Sequence, residues 1–213
     1  MDLEADVAWS WLYKTLESPR VYNAVQRLLG SGGQTLEGAF QRGFGGSRGR
    51  VLDVGCGPVR DTPAPDGLLI GLDVNLHYVE RYASAPDTER CEFRGVVASA
   101  AAIPFAGEVL DECRSVAVLH HLDDNLARRA VAEMYRVLKP GGRLALFDMV
   151  RPERFRDGPL ASILCALDRG EHVRTAEDLE QLVQASCPGD WTADLFSYAW
   201  PRLRGVLLIL RKP

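Results

Sequence analysis

The sequence predicts an α/β fold, a doubly wound and mainly parallel sheet with helices on both faces. Three observations carry this expectation. From residue 50 onward, short apolar runs alternate with amphipathic helical stretches. The first run leads straight into the glycine turn Asp53-Val54-Gly55-Cys56-Gly57, and the second ends in an acid, Asp73. The 213 residues are 46% hydrophobic and 25% charged, enough for one sizeable core without staples.

The first fifty residues read as helices. Residues 6–16 carry Val7, Trp9, Trp11, Leu12 and Leu16. Ser18-Pro19 opens a second helix as N-cap and first-turn proline, with Val21, Tyr22, Val25, Leu28 and Leu29 on one face. Gly30-Ser31-Gly32-Gly33 ends it, and a third short helix spans 35–44.

Strands are then expected at 50–54, 68–72, 92–97, 112–118 and 144–150. Asn75 caps a helix running through Tyr82. Asp123 or Asp124 caps a longer one whose apolar face is Leu126, Ala130, Val131, Met134 and Leu138; Pro140-Gly141-Gly142 stops it at Lys139. Thr175 caps a helix with Leu179, Leu182 and Val183, with Asp178 in the capping-box position. Strands at 191–200 and 205–210 close the chain.

Several function classes are disfavoured. The net charge of -4 and the pI of about 5.6 supply no basic footprint, so no nucleic-acid partner is expected. Arg42, Arg48 and Arg50 read as a solvated loop. No apolar run approaches the ~18 residues of a membrane span, so no membrane partner is expected. The acidic start MDLEAD is unlike a secretory leader, and a cytoplasmic protein is expected. The five cysteines are scattered without CxxC spacing, and the four histidines lack a ligand pattern, so no metal is expected.

The turn after the first strand of a doubly wound sheet lies where ligands bind. Glycines there let the backbone bend and a ligand approach. A carboxylate at Asp73 accepts bonds from both hydroxyls of a ribose. A dinucleotide fingerprint needs a third glycine three residues after the second, where this chain has Arg60. A nicotinamide-dependent oxidoreductase is therefore disfavoured.

Val51-Leu52-Asp53-Val54-Gly55-Cys56-Gly57-Pro58 resembles the first motif of class I S-adenosylmethionine-dependent methyltransferases. Leu69-Ile70-Gly71-Leu72-Asp73 is similar to their second strand. Ala102-Ile103-Pro104-Phe105 with Leu110-Asp111, then Leu119-His120-His121-Leu122, resemble the segments flanking their fourth strand. Arg136-Val137-Leu138-Lys139-Pro140-Gly141-Gly142-Arg143-Leu144 is similar to their helix-to-fifth-strand motif. The nearest flavour is the small bacterial ubiquinone/menaquinone-type subgroup, and the resemblance runs from about Arg50 to the C-terminus.

The resemblance implies a Rossmann-like, seven-stranded sheet, mostly parallel with the last strand antiparallel. It implies a helical N-terminal lid over residues 1–45 and an S-adenosylmethionine-binding methyltransferase domain over 46–213. S-adenosylmethionine would be the cofactor and S-adenosylhomocysteine the product. Asp53, Gly55, Cys56 and Gly57 would line its methionine end, Asp73 would hold the ribose, and Val74 would flank the adenine. Ser99 stands where the family often has an acid near the adenine amino group, with the Ala100 N–H beside it. Backbone around Val116 and Ala117 would face the cofactor's amino group or the ligand crevice.

Two departures from the family pattern stand out. Only sixteen positions separate Gly57 from Asp73, with Thr62-Pro63-Ala64-Pro65-Asp66-Gly67 in between, so the usual first helix must be stunted, which weakens dipole help at the cofactor carboxylate; Arg60 is the candidate compensation. The fourth strand carries Glu112 and Arg114 on one face, where an apolar run is the norm. Unpaired charges in a central strand are costly, so they suggest a polar crevice or a partner surface.

Methyl transfer from a sulfonium is an in-line displacement, so the protein supplies chiefly alignment. His120 or His121 is the candidate base for an acceptor that arrives protonated. Trp9, Trp11, Tyr13, Tyr22, Phe155 and residues 159–167 are expected around a small-molecule acceptor, with Asp148 binding it. Transfer to O, C or N of a metabolite, by a monomer or homodimer, is the leading expectation. A non-methylating protein that keeps the cofactor for regulation or cyclisation is the alternative.

Overall fold

The computed structural model describes residues 36–58, 62–153, 172–187, 189–199 and 203–213. Helix α1 (Leu36–Phe44) precedes β1 (Arg48–Val54) and β2 (Asp66–Asp73). Then come α2 (Leu76–Ala83), β3 (Cys91–Val97), β4 (Leu110–Val116) and a 3-10 turn at Leu119–His121. Helix α3 (Asp124–Val137), β5 (Leu138–Val150), α4 (Ala176–Ser186), β6 (Trp191–Ala199) and β7 (Leu203–Arg211) complete the order.

The seven strands lie in the order β3-β2-β1-β4-β5-β7-β6. β1 to β5 run parallel, while β7 is antiparallel to both β5 and β6. The order reverses at β1/β4, which puts a ligand crevice beyond the carboxyl ends of those strands.

The caps read from the sequence form as expected. Asn75 Oδ1 accepts from His77 N at 3.0 Å, Asp123 Oδ1 from Leu126 N at 2.8 Å, and Thr175 Oγ1 from Asp178 N at 3.1 Å. Ala127, Ala130, Val131, Met134 and Val137 turn the inner side of α3 onto Leu52, Val54, Leu144 and Leu146. On the opposite face, Phe40 and Phe44 of α1 pack edge-on with each other, and Phe40 does so with Phe147 of β5. The described part of the proposed lid therefore covers the sheet. The remainder, with Trp9, Trp11, Tyr13 and Tyr22, lies outside the described residues, as do Arg60, Phe155 and 159–167.

β5 begins six residues earlier than the sequence suggests. Lys139 to Gly142 bulge out between the pairs Leu110↔Leu138 and Glu112↔Arg143. Gly141 takes φ 77°, and the bulge stays bonded through Gly141 N to Lys212 O and Lys212 N to Gly142 O. A helix stop and a strand start thus share one motif.

Glu112 and Arg114 form neither a crevice nor a partner surface; they are 3% and 0% exposed. Arg143 Nε and Nη2 donate to Glu112 Oε2 at 2.9 and 2.6 Å, and Ser47 Oγ donates to Oε1 at 3.0 Å. Arg114 sits beside Asp53 in the β1/β4 register and donates from Nη1 to Pro63 O at 2.8 Å. The expectation failed because the pairing partners are tens of residues away in sequence.

Candidate active site

The site is built at the carboxyl ends of β1, β2 and β4. Gly55 N and Cys56 N both donate to Leu72 O, at 2.7 and 3.0 Å, which folds the β1 turn back over the end of β2. Gly55 has φ 71°, and a Cβ there would lie 2.3 Å from Val118 Cγ2. Glycine therefore lets the β1 turn touch the segment that follows β4. Gly57 has φ 56°, and among the described residues a Cβ on it would meet nothing nearer than Gly55 O at 3.9 Å, its chain neighbours aside.

Asp73 is half-buried. Its Oδ2 accepts from Gly57 N at 3.1 Å and its Oδ1 from Asn75 N at 2.9 Å. A carboxylate offers about four acceptor positions, so each oxygen keeps capacity for one further donor. That suits the two hydroxyls of a ribose. Val74 and Val97, at the ends of β2 and β3, are 73% and 50% exposed, an apolar flank suited to a flat ring. Ala98 N donates to Asp73 O at 3.0 Å and holds the next segment against this edge. There Ser99 is exposed and its Oγ accepts from Ala101 N at 3.2 Å; Ala100 is half-buried.

Two candidates turn away from the crevice. Cys56 is 5% exposed and packs with Val51, Leu69, Tyr82 and Phe93 beneath the sheet edge. Burial, then Asp53 and Asp73, push its thiol far up, so only its backbone serves the turn. Asp53 is likewise 5% exposed, and its Oδ2 accepts from Tyr82 Oη at 2.8 Å. Burial and Asp53 in turn raise the Tyr82 hydroxyl. Tyr82 escaped the sequence reading because it looked like an ordinary apolar-face residue of its helix.

Across the crevice, Val116 and Ala117 are half-buried. Ala117 takes φ 56° and donates from N to Phe147 O at 2.8 Å, turning the chain sharply out of β4. The 3-10 turn follows at once. His120 is 5% exposed, and its Nδ1 lies 2.5 Å from Asp148 Oδ1. His120 N also donates to Asp148 Oδ2 at 3.1 Å, and Met149 N to Oδ1 at 2.8 Å. Asp148, read from the sequence as an acceptor contact, is 2% exposed and turned toward His120 instead. His121 is exposed, with its ring 4.1 Å from that of His120, centroid to centroid. The arrangement can hold a ribose and flank a flat base, and the buried His120–Asp148 pair follows in the segment after β4, whose Val118 borders Gly55. Among the described residues no group of three or more His, Cys, Asp or Glu is placed to hold a metal. None of the described helices is long and apolar enough to cross a membrane.

Comparison with known proteins agrees with this geometry. Residues 52–146 match the family described as Methyltransferase domain. An O-methyltransferase from Aspergillus nomiae is 35% identical over 106 residues, 47% of this chain and 46% of that one. A tRNA (carboxymethyluridine(34)-5-O)-methyltransferase from Arabidopsis thaliana is 35% identical over 96 residues, 43% of this chain and 22% of that one. The matched stretch thus spans less than half the length of these relatives. A crystallised S-adenosylmethionine-dependent methyltransferase from Methanosarcina mazei shares the fold with a TM-score of 0.57 at 19% identity, over 78% of this chain and 92% of that one.

Proposed function

We propose that this chain, built on a class I S-adenosylmethionine-dependent methyltransferase domain, transfers a methyl group to an oxygen of a small-molecule acceptor. The observation that carries the reading is Asp73, whose two oxygens are each held by one backbone N–H and each left with room for a hydroxyl. S-adenosylmethionine, when bound, supplies an electrophilic methyl on a sulfur that is already a good leaving group.

The chain's own residues do the rest. Gly57 and the backbone of Cys56 line the approach, Asp73 fixes the ribose, and Val74, Val97, Ser99 and Ala100 border the adenine. His120 is the candidate base: Asp148 beside Nδ1 orients the ring and would steady an imidazolium as the acceptor's proton leaves the attacking oxygen. Val116 and Ala117 close the crevice between the two halves. His121 borders the acceptor. An oxygen acceptor fits best, since a hydroxyl needs such a base, and O-methyltransferases stand among the relatives. The acidic chain favours a small molecule over tRNA, although relatives that methylate tRNA exist.

The test is calorimetric titration with S-adenosylmethionine and S-adenosylhomocysteine, wild type beside Asp73→Ala, followed by an acceptor screen that includes unmodified tRNA. Tight binding lost in the variant supports the site. No binding by folded wild type overturns it, and transfer to tRNA alone overturns the acceptor class.

A further inference from the structure

Arg174 lies just beyond the connection that follows β5, and it is 8% exposed. Its guanidinium makes five bonds. Nη1 donates to Leu119 O at 2.8 Å and to His172 O at 3.2 Å. Nη2 donates to Leu122 O at 2.8 Å and to Asp124 Oδ1 at 2.7 Å, and Nε to the same Oδ1 at 3.0 Å. The backbone on either side joins in, with His172 N donating to His120 O at 3.1 Å and Arg151 N to Arg174 O at 2.9 Å.

These partners have one thing in common. Leu119 and Leu122 bracket the two histidines, and the His120 carbonyl between them is bonded by His172 N. A single 3-10 turn has too few internal bonds to hold its own shape. Its internal bonds are His121 N to Val118 O and Leu122 N to Leu119 O, so the His120 and Leu122 carbonyls take their donors from outside the turn and the Leu119 carbonyl takes a second one there. Here three consecutive-region carbonyls are taken by one residue and its neighbour, both from a segment some fifty positions away. The remaining link, Asp124, starts α3, so the turn is fastened to the helix as well. The guanidinium beside it holds the Asp124 carboxyl below the usual carboxylate range. No ligand role is open to Arg174, because its donors are spent on the turn.

We propose that Arg174 is a positioning residue for the candidate base: by clamping the carbonyls of the 119–122 turn it holds His120 in the orientation in which Nδ1 meets Asp148. The proposal rests on the reading of His120 as the base, and its test is independent of any acceptor. Arg174 acts through backbone carbonyls, so loss of the clamp frees the ring without removing any group that touches it.

The experiment is a 1H–15N spectrum of the histidine rings in the full-length protein, with and without S-adenosylhomocysteine. The His120 signals are identified by their loss in His120→Gln. In wild type a slowly exchanging Nδ1 proton marks the bond to Asp148. In Arg174→Met the exchange of that proton is expected to speed up about tenfold, the loss of roughly one net hydrogen bond from the turn. The affinity for S-adenosylhomocysteine stays as in wild type. Asp124→Asn, which weakens two of the five bonds and leaves the three carbonyl contacts, shifts exchange in the same direction by less, and it decides the matter if Arg174→Met does not fold. Unchanged exchange in the folded variants overturns the proposal. Failure of wild type to bind S-adenosylhomocysteine overturns the methyltransferase reading instead, and the ligand-free spectra still judge Arg174.

Discussion

Arg143→Met is the most informative single change in the frame beneath the site. Glu112 has a side chain only 4% exposed, and Arg143, at 19%, gives it two donors through Nε and Nη2. The other donor is Ser47 Oγ, which also lies 2.7 Å from Phe44 O and has one proton for both. Methionine keeps most of the volume and removes the charge. Breaking a buried pair by taking one partner away costs about 3–5 kcal/mol. In a domain of this size that is roughly 6–20 °C in Tm.

The pH dependence has a definite sign. Burial already raises the Glu112 carboxyl above its ordinary value, against the pull of Arg143 and Arg114. Without Arg143 it rises further. A carboxyl raised on folding binds its proton more tightly in the native state, so stability falls as pH rises from the unfolded to the folded value. The deficit of Arg143→Met is therefore largest at and above neutral pH and shrinks as the pH falls toward the ordinary glutamate range and the buried acid takes up its proton. Urea denaturation at several pH values measures it. Glu112→Leu combined with Arg143→Met should recover most of the loss, since an apolar pair can replace a buried ionic one. A deficit independent of pH, or a double variant no better than the single, refutes the reasoning.

Other changes test the site itself. Tyr82→Phe leaves buried Asp53 without a 2.8 Å donor and should cost roughly 1.5–3 kcal/mol, the range for a bond to a charged group, read by urea denaturation. Gly57→Ala should cost the left-handed strain of about 1–2 kcal/mol, because no atom of the described residues stands closer than 3.9 Å to the added methyl, its chain neighbours aside. It should nonetheless lose S-adenosylhomocysteine affinity in calorimetry, since its methyl enters the space over the turn. His120→Gln should bind S-adenosylhomocysteine as wild type does while slowing transfer to a hydroxyl acceptor by about 10²–10⁴-fold in a single-turnover assay.

The parallel strands, the caps at Asn75, Asp123 and Thr175, and the glycine turn with Asp73 were legible because each is a local signal. A cap, its helix and a turn all lie within a few residues. Val116 and Ala117 were named by the family resemblance alone. What was not legible depends on contacts across the sheet. Asp53 looked like a ligand contact until Tyr82, 29 positions away, claimed its carboxylate. Asp148 looked like an acceptor contact until its 28-residue separation from His120 closed to a hydrogen bond. The start of β5 at Leu138 was hidden because Pro140-Gly141-Gly142 stops a helix, and the bonds that rescue the bulge come from Lys212. A carboxylate two residues before the end of an apolar strand, as Asp148 is, beside a histidine pair at the preceding strand's end, is the signal that would have found the dyad.

The charges that looked anomalous in β4 share a logic with Arg174. Arg114, fully buried in β4, reaches Pro63 O in the connection between β1 and β2. Its Nε and Nη2, and Thr62 Oγ1 nearby, have no hydrogen-bond partner among the described residues. A buried polar group left unmatched costs stability, so apolar packing alone would have been the cheaper filler. What the arginine adds is a directed bond to a loop with little packing of its own. Arg174 does the same for the 119–122 turn on the other side of the crevice. Both bind backbone carbonyls, and a guanidinium keeps its proton at any working pH. The two loops that meet at Gly55 and Val118 are thereby each held by a buried guanidinium bonded to backbone carbonyls.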